Sequence, residues 1–234
     1  MKRAFLVIVF ALVLSWQSFA SQPTEEQPKP IAAAEAEQRA KESRDFLTDM
    51  LWLKTEDYWH EGEWDEAIRL CRQIVQVDPT FVEAYTGAAW MLWSMDRDPE
   101  AIELYEAGIR NNTKSYEVHH EYGMYFRYRQ KWDQATAQFR KSVELGAPKA
   151  FQHMLPNALE NGGHKREALE EWRAILRRFP DDAVAKKHIA RLEQELTGQG
   201  SSQNPPQNRK GAKNAKSRDL FAFSGWSADS ARGG

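Results

Sequence analysis

The sequence predicts an all-α protein of about four helical hairpins stacked in series, with one further helix at each end. Three observations predict this fold class: a repeat of about 34 residues, helical spacing of apolar residues within each repeat, and turn-forming residues where each repeat closes. Self-similarity at this period is typical of solenoids built from helix–turn–helix units.

The repeat is most visible at one small residue of each second helix. Ala67, Ala101 and Ala135 are 34 residues apart, and a further step of 33 reaches Ala168. Four residues after each alanine comes a side chain that we expect to be buried, namely Cys71, Tyr105, Phe139 and Trp172. The alanine permits close helix contact, and the larger residue fills the space beside it.

The first helix of each hairpin is predicted from apolar residues three, four and seven apart, which form one helical face. These residues are Leu51, Tyr58, Tyr85, Ala88, Ala89, Leu92, Tyr122, Gly123 and Phe126. Turn signals close the copies at Asp78-Pro79, Asn111-Asn112, Gly146-Ala147-Pro148 and Phe179-Pro180. Pro156 interrupts the fourth first helix, so we expect that helix to be kinked or to start late.

At these residues the chain resembles the tetratricopeptide repeat (TPR) family. The family pattern has an aromatic residue, a leucine-glycine pair and a tyrosine on the first helix, then alanine-x-x-x-aromatic and a closing proline. The matching positions are Tyr85/Ala88/Ala89/Leu92/Ala101/Tyr105 and His119/Tyr122/Gly123/Phe126/Ala135/Phe139. Pro79 and Pro180 match the closing proline, whereas Thr113 and Ala147 depart from it. The resemblance covers about residues 48–182. It implies a right-handed superhelix whose first helices line a concave groove that binds peptide or protein segments.

The start of the chain has the three-part layout of a secretory signal peptide, predicted over residues 1–20. A basic Met1-Lys2-Arg3 precedes an apolar run, and Ser18-Phe19-Ala20 is a small-x-small cleavage site. An uncleaved membrane anchor is the alternative, although the run is shorter than the roughly 20 residues that span a bilayer. We expect an exported chain, periplasmic or secreted, with no integral membrane span after cleavage.

The remaining segments follow from composition and periodicity. A polar, proline-containing linker is predicted over 21–30, an N-terminal helix over 31–47 and the four repeats over 48–181. Ala185, Ile189, Leu192 and Leu196 form one stripe, which predicts a C-terminal capping helix over 182–196. Residues 197–234 are predicted to be a disordered tail because they contain few large apolar residues.

The candidate binding residues lie on the stripe beside the core face of each first helix. They are Trp52, Glu56 and Trp59 in the first repeat, Thr86, Trp90 and Trp93 in the second, and His120, Met124 and Arg127 in the third. The equivalent residues of the fourth repeat are His153, Asn157 and Glu160. Four tryptophans on this stripe favour an apolar or aromatic peptide ligand, with Arg127 and His120 available to an acidic group. The alternative is that these rings belong to the core.

The tail carries two further clusters. The aromatic residues are Leu220, Phe221, Phe223 and Trp226, and the basic residues are Arg209, Lys210, Lys213, Lys216 and Arg218. The aromatic segment could fold back into the groove of its own chain or bind another protein. The basic cluster could make weak contact with an anionic surface, or it could be only a solvated linker.

Composition and motifs argue against other classes of function. The 234 residues carry a formal charge of -2 and one cysteine, which excludes an internal disulfide and argues against nucleic acid binding. The six histidines lack metal-ligand spacing, and no phosphate loop or nucleophile motif is present, so we predict no catalytic residue, metal or cofactor. The leading function is a non-enzymatic exported scaffold that binds a peptide segment in an aromatic-lined groove. A structural subunit of a cell-envelope assembly, bound through its convex face or end helices, and an envelope enzyme are the alternatives.

Overall fold

The computed structural model describes residues 30–198, with side chains from residue 32 onward, and all regular structure in this range is helical. The helices are α1 (Pro30–Glu61), α2 (Trp64–Val77), α3 (Val82–Ser94), α4 (Asp98–Asn111), α5 (Tyr116–Tyr128), α6 (Trp132–Glu144), α7 (Lys149–Gln152), α8 (Met154–Asn161), α9 (Lys165–Arg178) and α10 (Ala183–Gly198). The signal peptide, most of the linker and the clusters of the tail, as predicted from the sequence, lie outside the described residues.

Four hairpins are formed by neighbouring helices along the chain. The end of α1 pairs with α2, α3 with α4, α5 with α6, and α8 with α9. Successive hairpins stack because α3 packs on α2, α5 packs on both α3 and α4, and α8 packs on α6. The chain divides into two compact units after Glu193, so the described repeats lie in one unit and residues 194–198 in the other.

The core register agrees with the repeat read from the sequence. The small residue of each second helix is completely buried, and the larger residue that follows it has at most 1% of its surface exposed. The small residues are Ala67, Ala101, Ala135 and Ala168, and the larger ones are Cys71, Tyr105, Phe139 and Trp172. Burial raises the pKa of the Cys71 thiol to about 12, which keeps it protonated and unreactive. At Gly123 an added Cβ would lie 2.6 Å from Cε1 of Phe139, which explains why α5 needs a glycine there.

The turn inside each hairpin uses one conformation four times. Gly62, Asp96, Gln130 and Gly163 occupy equivalent positions, and all four have a left-handed φ between 57° and 87°. The amide after each of them donates to a carbonyl five residues earlier, as in the bond from Arg97 to Leu92 at 2.9 Å. This is the Schellman arrangement that ends many helices, and it fixes the angle between first and second helices.

The first helix of the fourth hairpin is broken at His153 into α7 and α8. Pro156 stands in the first turn of α8, where a missing N–H removes no intrahelical hydrogen bond. The proline thus sets where α8 can begin, and the interruption expected from the sequence occurs upstream of it.

Helix α1 is one continuous helix of 32 residues, about 48 Å long at 1.5 Å per residue. The predicted N-terminal helix and the first helix of the first repeat are therefore parts of one helix, which continues through residues 47 and 48. Side chains from Ala32 to Leu47 are all exposed, whereas Thr48 and Thr55 are buried against the first hairpin. The first half of α1 projects away from the repeats.

Candidate functional site

The nine candidate residues occupy three equivalent positions on α1, α3 and α5, and the structure divides them into two groups. Thr86, Trp93 and His120 are buried. The other six residues are partly exposed: Trp52, Glu56, Trp59, Trp90, Met124 and Arg127. We call this second group the first-helix face.

The burial of Trp93 differs from the expectation of an open groove. Its ring lies 5.2 Å from Tyr128 and 6.3 Å from Tyr125, both on α5, and its exposed fraction is 9%. The Arg129 guanidinium sits 5.6 Å from the Trp93 ring and donates a 3.0 Å hydrogen bond to the Trp93 carbonyl. Trp93 therefore joins two hairpins and has little surface left for a ligand.

Thr86 and His120 are buried because their shared position faces the next hairpin. At that position Trp52 lies 5.2 Å from Phe81, and His120 packs edge-on against Phe151 at 4.5 Å. Thr86 Oγ1 donates to the Val82 carbonyl of its own helix at 3.3 Å. This part of the stripe is a seam between successive first helices, so the available surface is narrower than the sequence suggested.

The exposed aromatic surface continues onto residues that the sequence analysis did not select. Trp90 lies 5.6 Å from Trp64, at the start of α2, and 6.2 Å edge-on from Trp93. Tyr128, at the end of α5, extends the row from the far side of Trp93 and is exposed. Tyr128 follows Arg127 directly and lies 34 residues after Ser94, so the repeat alignment could have identified its position but not its contact with Trp93.

Arg127 is the cation of this face. Its Nη1 lies 4.0 Å from the Met124 sulfur and its guanidinium 5.6 Å from the Tyr128 ring, and within residues 32–198 it has no carboxylate at ion-pair distance. An acidic group of a ligand could therefore approach it without displacing an existing ion pair.

His120 cannot play the same part. Burial, followed by the nearby Arg127 charge, lowers the pKa of His120 to about 4, so the ring is neutral at pH 7. The adjacent Glu121 is partly buried, and desolvation raises the pKa of its carboxyl to about 7. His120 therefore offers no positive charge to an acidic group, and the role predicted for it there stays a prediction.

Two of the three equivalent residues of the fourth repeat, His153 and Glu160, are already bonded to Asp182 or to α10, so we do not count this repeat in the first-helix face. His153 Nε2 lies 2.8 Å from Oδ2 of Asp182, just before α10. Glu160 accepts a 2.8 Å hydrogen bond from Trp172 Nε1 and contacts His188 and Arg191 of α10. The face therefore extends over three hairpins.

Residues 30–198 contain neither a membrane-spanning helix nor a cluster suited to a metal ion. No helix in that range is both long enough and apolar enough to cross a membrane. The same range holds no cluster of three or more His, Cys, Asp or Glu side chains arranged to bind a metal ion.

The comparisons with known proteins identify the repeats and the fold. Residues 58–120 match the family described as tetratricopeptide repeat. The structure of MamA aligns with a TM-score of 0.51 at 17% identity, covering 64% of this chain and 82% of that one. Pseudomonas aeruginosa pilF aligns at 0.51 and 18%, covering 69% and 80%, and yeast Tom70 at 0.53 and 14%, covering 64% and 33%. No curated protein sequence matches significantly.

These likenesses confirm the fold class predicted from the sequence, an all-α, TPR-like right-handed superhelix of about four hairpins. At identities of 14–18%, the similarity to these structures shows only the fold. The chemistry of the first-helix face therefore has to be argued from this chain's own residues.

Proposed function

We propose that this chain, a helical scaffold with tetratricopeptide repeats, is non-enzymatic and binds an extended peptide segment of a partner protein on its first-helix face. The observation that carries the proposal is the row of partly exposed indoles, Trp52, Trp59 and Trp90, on the first helices of two adjacent hairpins. Tryptophan is enriched among residues that dominate binding energy, because a large flat ring buries much area with few rotatable bonds.

The expected affinity is moderate. If a ligand covered about 100 Å² of each of three rings, about 25 cal/mol per Å² would give roughly 7 kcal/mol of apolar stabilisation. The translational freedom lost on binding and the ordering of the peptide together cost a comparable amount of free energy. Hydrogen bonds and charge contacts therefore decide the net affinity. We therefore expect dissociation constants in about the micromolar range.

The ligand we propose carries apolar or aromatic residues followed by an acidic group. The indoles accommodate the apolar part, and Arg127 on α5 supplies the charge one hairpin further along. Because His120 is neutral, we expect the preference for an acidic group to depend on Arg127.

Export is the second part of the proposal, and it rests on residues 1–20, which have the charge and apolar pattern of a signal peptide. The chain would then act in the periplasm or outside the cell. The mass of the protein isolated from its native host tests this, since cleavage after Ala20 removes the first 20 residues. A chain that keeps Met1-Lys2-Arg3 would contradict cleavage.

The binding face can be tested by peptide selection with the immobilised full chain. Peptides enriched from a random library should contain aromatic and acidic residues, and Trp59→Ala or Trp90→Ala should weaken their binding about tenfold or more, since each removes a partly exposed ring. Trp132→Ala is the matched control, because Trp132 is also partly exposed but begins the second helix α6. Each variant's unfolding transition is measured first to confirm that it folds.

Arg127→Glu should reverse the charge preference, so that acidic peptides lose affinity and basic peptides gain it. If Trp132→Ala weakens binding as much as Trp90→Ala, or if only variants on the second helices have an effect, the first-helix face is not the site. An envelope assembly that holds the chain by its outer surface would then be favoured.

A further inference from the structure

The side of α1 that points away from the repeats carries an apolar stripe. Phe46, Met50 and Leu53 are 68%, 51% and 57% exposed. At 3.6 residues per turn these three lie on one line along the helix. Thr48 and Thr55, on the opposite side, are buried against the first hairpin, so no described element covers the stripe.

The stripe is the centre of a longer pattern. Exposed residues recur at alternating steps of four and three, which is the spacing of a coiled-coil seam: Arg39, Ser43, Phe46, Met50, Leu53 and Asp57. Three apolar residues occupy the middle, and opposite charges occupy the ends. In a monomeric protein, a surface helix normally packs such an apolar stripe against the core.

This order of residues is complementary to itself when a second copy runs antiparallel. Phe46 then faces Met50 of the second copy, Ser43 faces Leu53, and Arg39 faces Asp57. Each of these pairs occurs twice about the two-fold axis, as a closed symmetric interface requires. Arg39 and Asp57 each also contact an opposite charge on their own helix, Glu35 at 3.9 Å and Lys54 at 3.4 Å. In a parallel pair Arg39 would face Arg39 and Asp57 would face Asp57, so these two end charges favour the antiparallel arrangement.

We infer that two copies of this chain pair antiparallel through the outward seam of α1, independently of the peptide site proposed above. The repeats of each copy lie on the side of its own α1 opposite the stripe, where Thr48 and Thr55 are buried.

Bordering charges argue against a membrane as the occupant of the seam. Glu42, Asp45 and Asp49 lie along it and would be repelled by anionic lipid; repulsion between the acidic residues of the two copies also weakens the pair. The size of the seam predicts a weak dimer. With about 100 Å² from each of four exposed apolar side chains per copy, Leu47 included, two copies bury about 800 Å² of apolar surface. At an apolar share of about 60% the whole interface covers roughly 1,300 Å², near the lower end of the range for stable complexes.

Sedimentation velocity of the full chain tests the inference. We expect a monomer at about 1 µM and mostly dimer at about 100 µM, as suits a weak interface. Met50→Glu should abolish the dimer. Val184→Glu is the control, because Val184 is also an exposed apolar residue but lies on α10. A chain that stays monomeric at 100 µM, or a dimer that survives Met50→Glu, would overturn the inference.

A charge exchange tests the orientation. Arg39→Asp and Asp57→Arg should each weaken the dimer about fivefold or more, and the combined variant should recover it, because the antiparallel pair is restored with its signs reversed. The two residues are 18 positions apart on one helix, about 27 Å, so they cannot pair within a chain. Weakening by both single changes without recovery in the combined variant would contradict the antiparallel arrangement.

Discussion

Replacing Trp172 with alanine is expected to lower the free energy of unfolding by about 3–5 kcal/mol, the range typical of large-to-small changes at fully buried aromatic residues. The Trp172 side chain has no exposed surface. Its ring lies 4.3 Å from His188 of α10 and 5.3 Å from His153 at the break before α8. The substitution would open a cavity where three helices meet.

The polar side of this ring adds to the effect. Trp172 Nε1 donates to Glu160 Oε1 at 2.8 Å, so the alanine variant leaves a largely buried carboxylate with one donor fewer. In a solenoid each repeat is stabilised by its neighbours, so the fourth hairpin and α10 should unfold before the other three hairpins.

Urea unfolding followed by far-ultraviolet circular dichroism measures this loss, which should appear as an earlier, separate transition. Trp132→Ala is the control, since that ring is partly exposed and its removal should cost much less. A single transition displaced by under 1 kcal/mol would show that Trp172 does not hold the C-terminal end together.

Replacing Asp182 with asparagine is expected to lower the free energy of unfolding by about 2 kcal/mol near pH 6, because it keeps the helix cap but removes its negative charge. Oδ1 accepts the Ala185 amide hydrogen at 2.9 Å, while Oδ2 lies 2.8 Å from His153 Nε2 and 3.3 Å from Lys149 Nζ. The side chain is 2% exposed, so these contacts are poorly screened by solvent.

The same carboxylate gives this prediction a pH dependence. Burial by itself raises the pKa of Asp182, but the Ala185 amide and the His153 and Lys149 side chains lower it more, to about 2 from an ordinary 3.8. A carboxyl whose pKa is lowered in the folded state adds stability above pH 3.8 and loses it as the pH falls towards 2. The difference between the native chain and Asp182→Asn should therefore shrink below pH 4. Thermal unfolding at pH 6, 4 and 3 measures this, and a constant difference would contradict the assignment.

The sequence predicted the repeat register because that register depends on local volume. A hairpin needs a small residue where its helices cross and a large one a turn later, so the pair Ala101 and Tyr105 reveals its place from composition and spacing alone. Glycine itself indicates the left-handed turn at Gly62 and Gly163. Asp96 and Gln130 adopt the same left-handed φ although they are not glycines. Those two turns could be inferred only from the repeat itself.

Burial on the predicted binding stripe could not be read in the same way, because it depends on contacts between hairpins. Trp93 and Trp90 are three residues apart on one helix face, yet Tyr125 and Tyr128 of the next hairpin cover the Trp93 ring, whereas Trp90 is partly exposed. His120 is buried for the corresponding reason, since Phe151 from the following hairpin packs on it.

The sequence also could not show at which repeat the first-helix face ends. Glu160 stands where a fourth binding residue would be expected, and only its contacts with His188 and Arg191 show that α10 uses it for capping. A capping helix was predicted from its apolar stripe, but that stripe does not specify which surface of the last repeat the helix covers.

Indole NMR signals of the full chain, recorded while the tightest peptide from the library selection is added, test the proposed binding face most directly. Each tryptophan Nε1–H gives one signal, which single substitutions assign to its residue. We predict that the signals of Trp52, Trp59 and Trp90 shift on saturation, while those of Trp132 and the fully buried Trp172 remain in place. A peptide that binds while moving only Trp132, or none of the three first-helix indoles, would contradict the account.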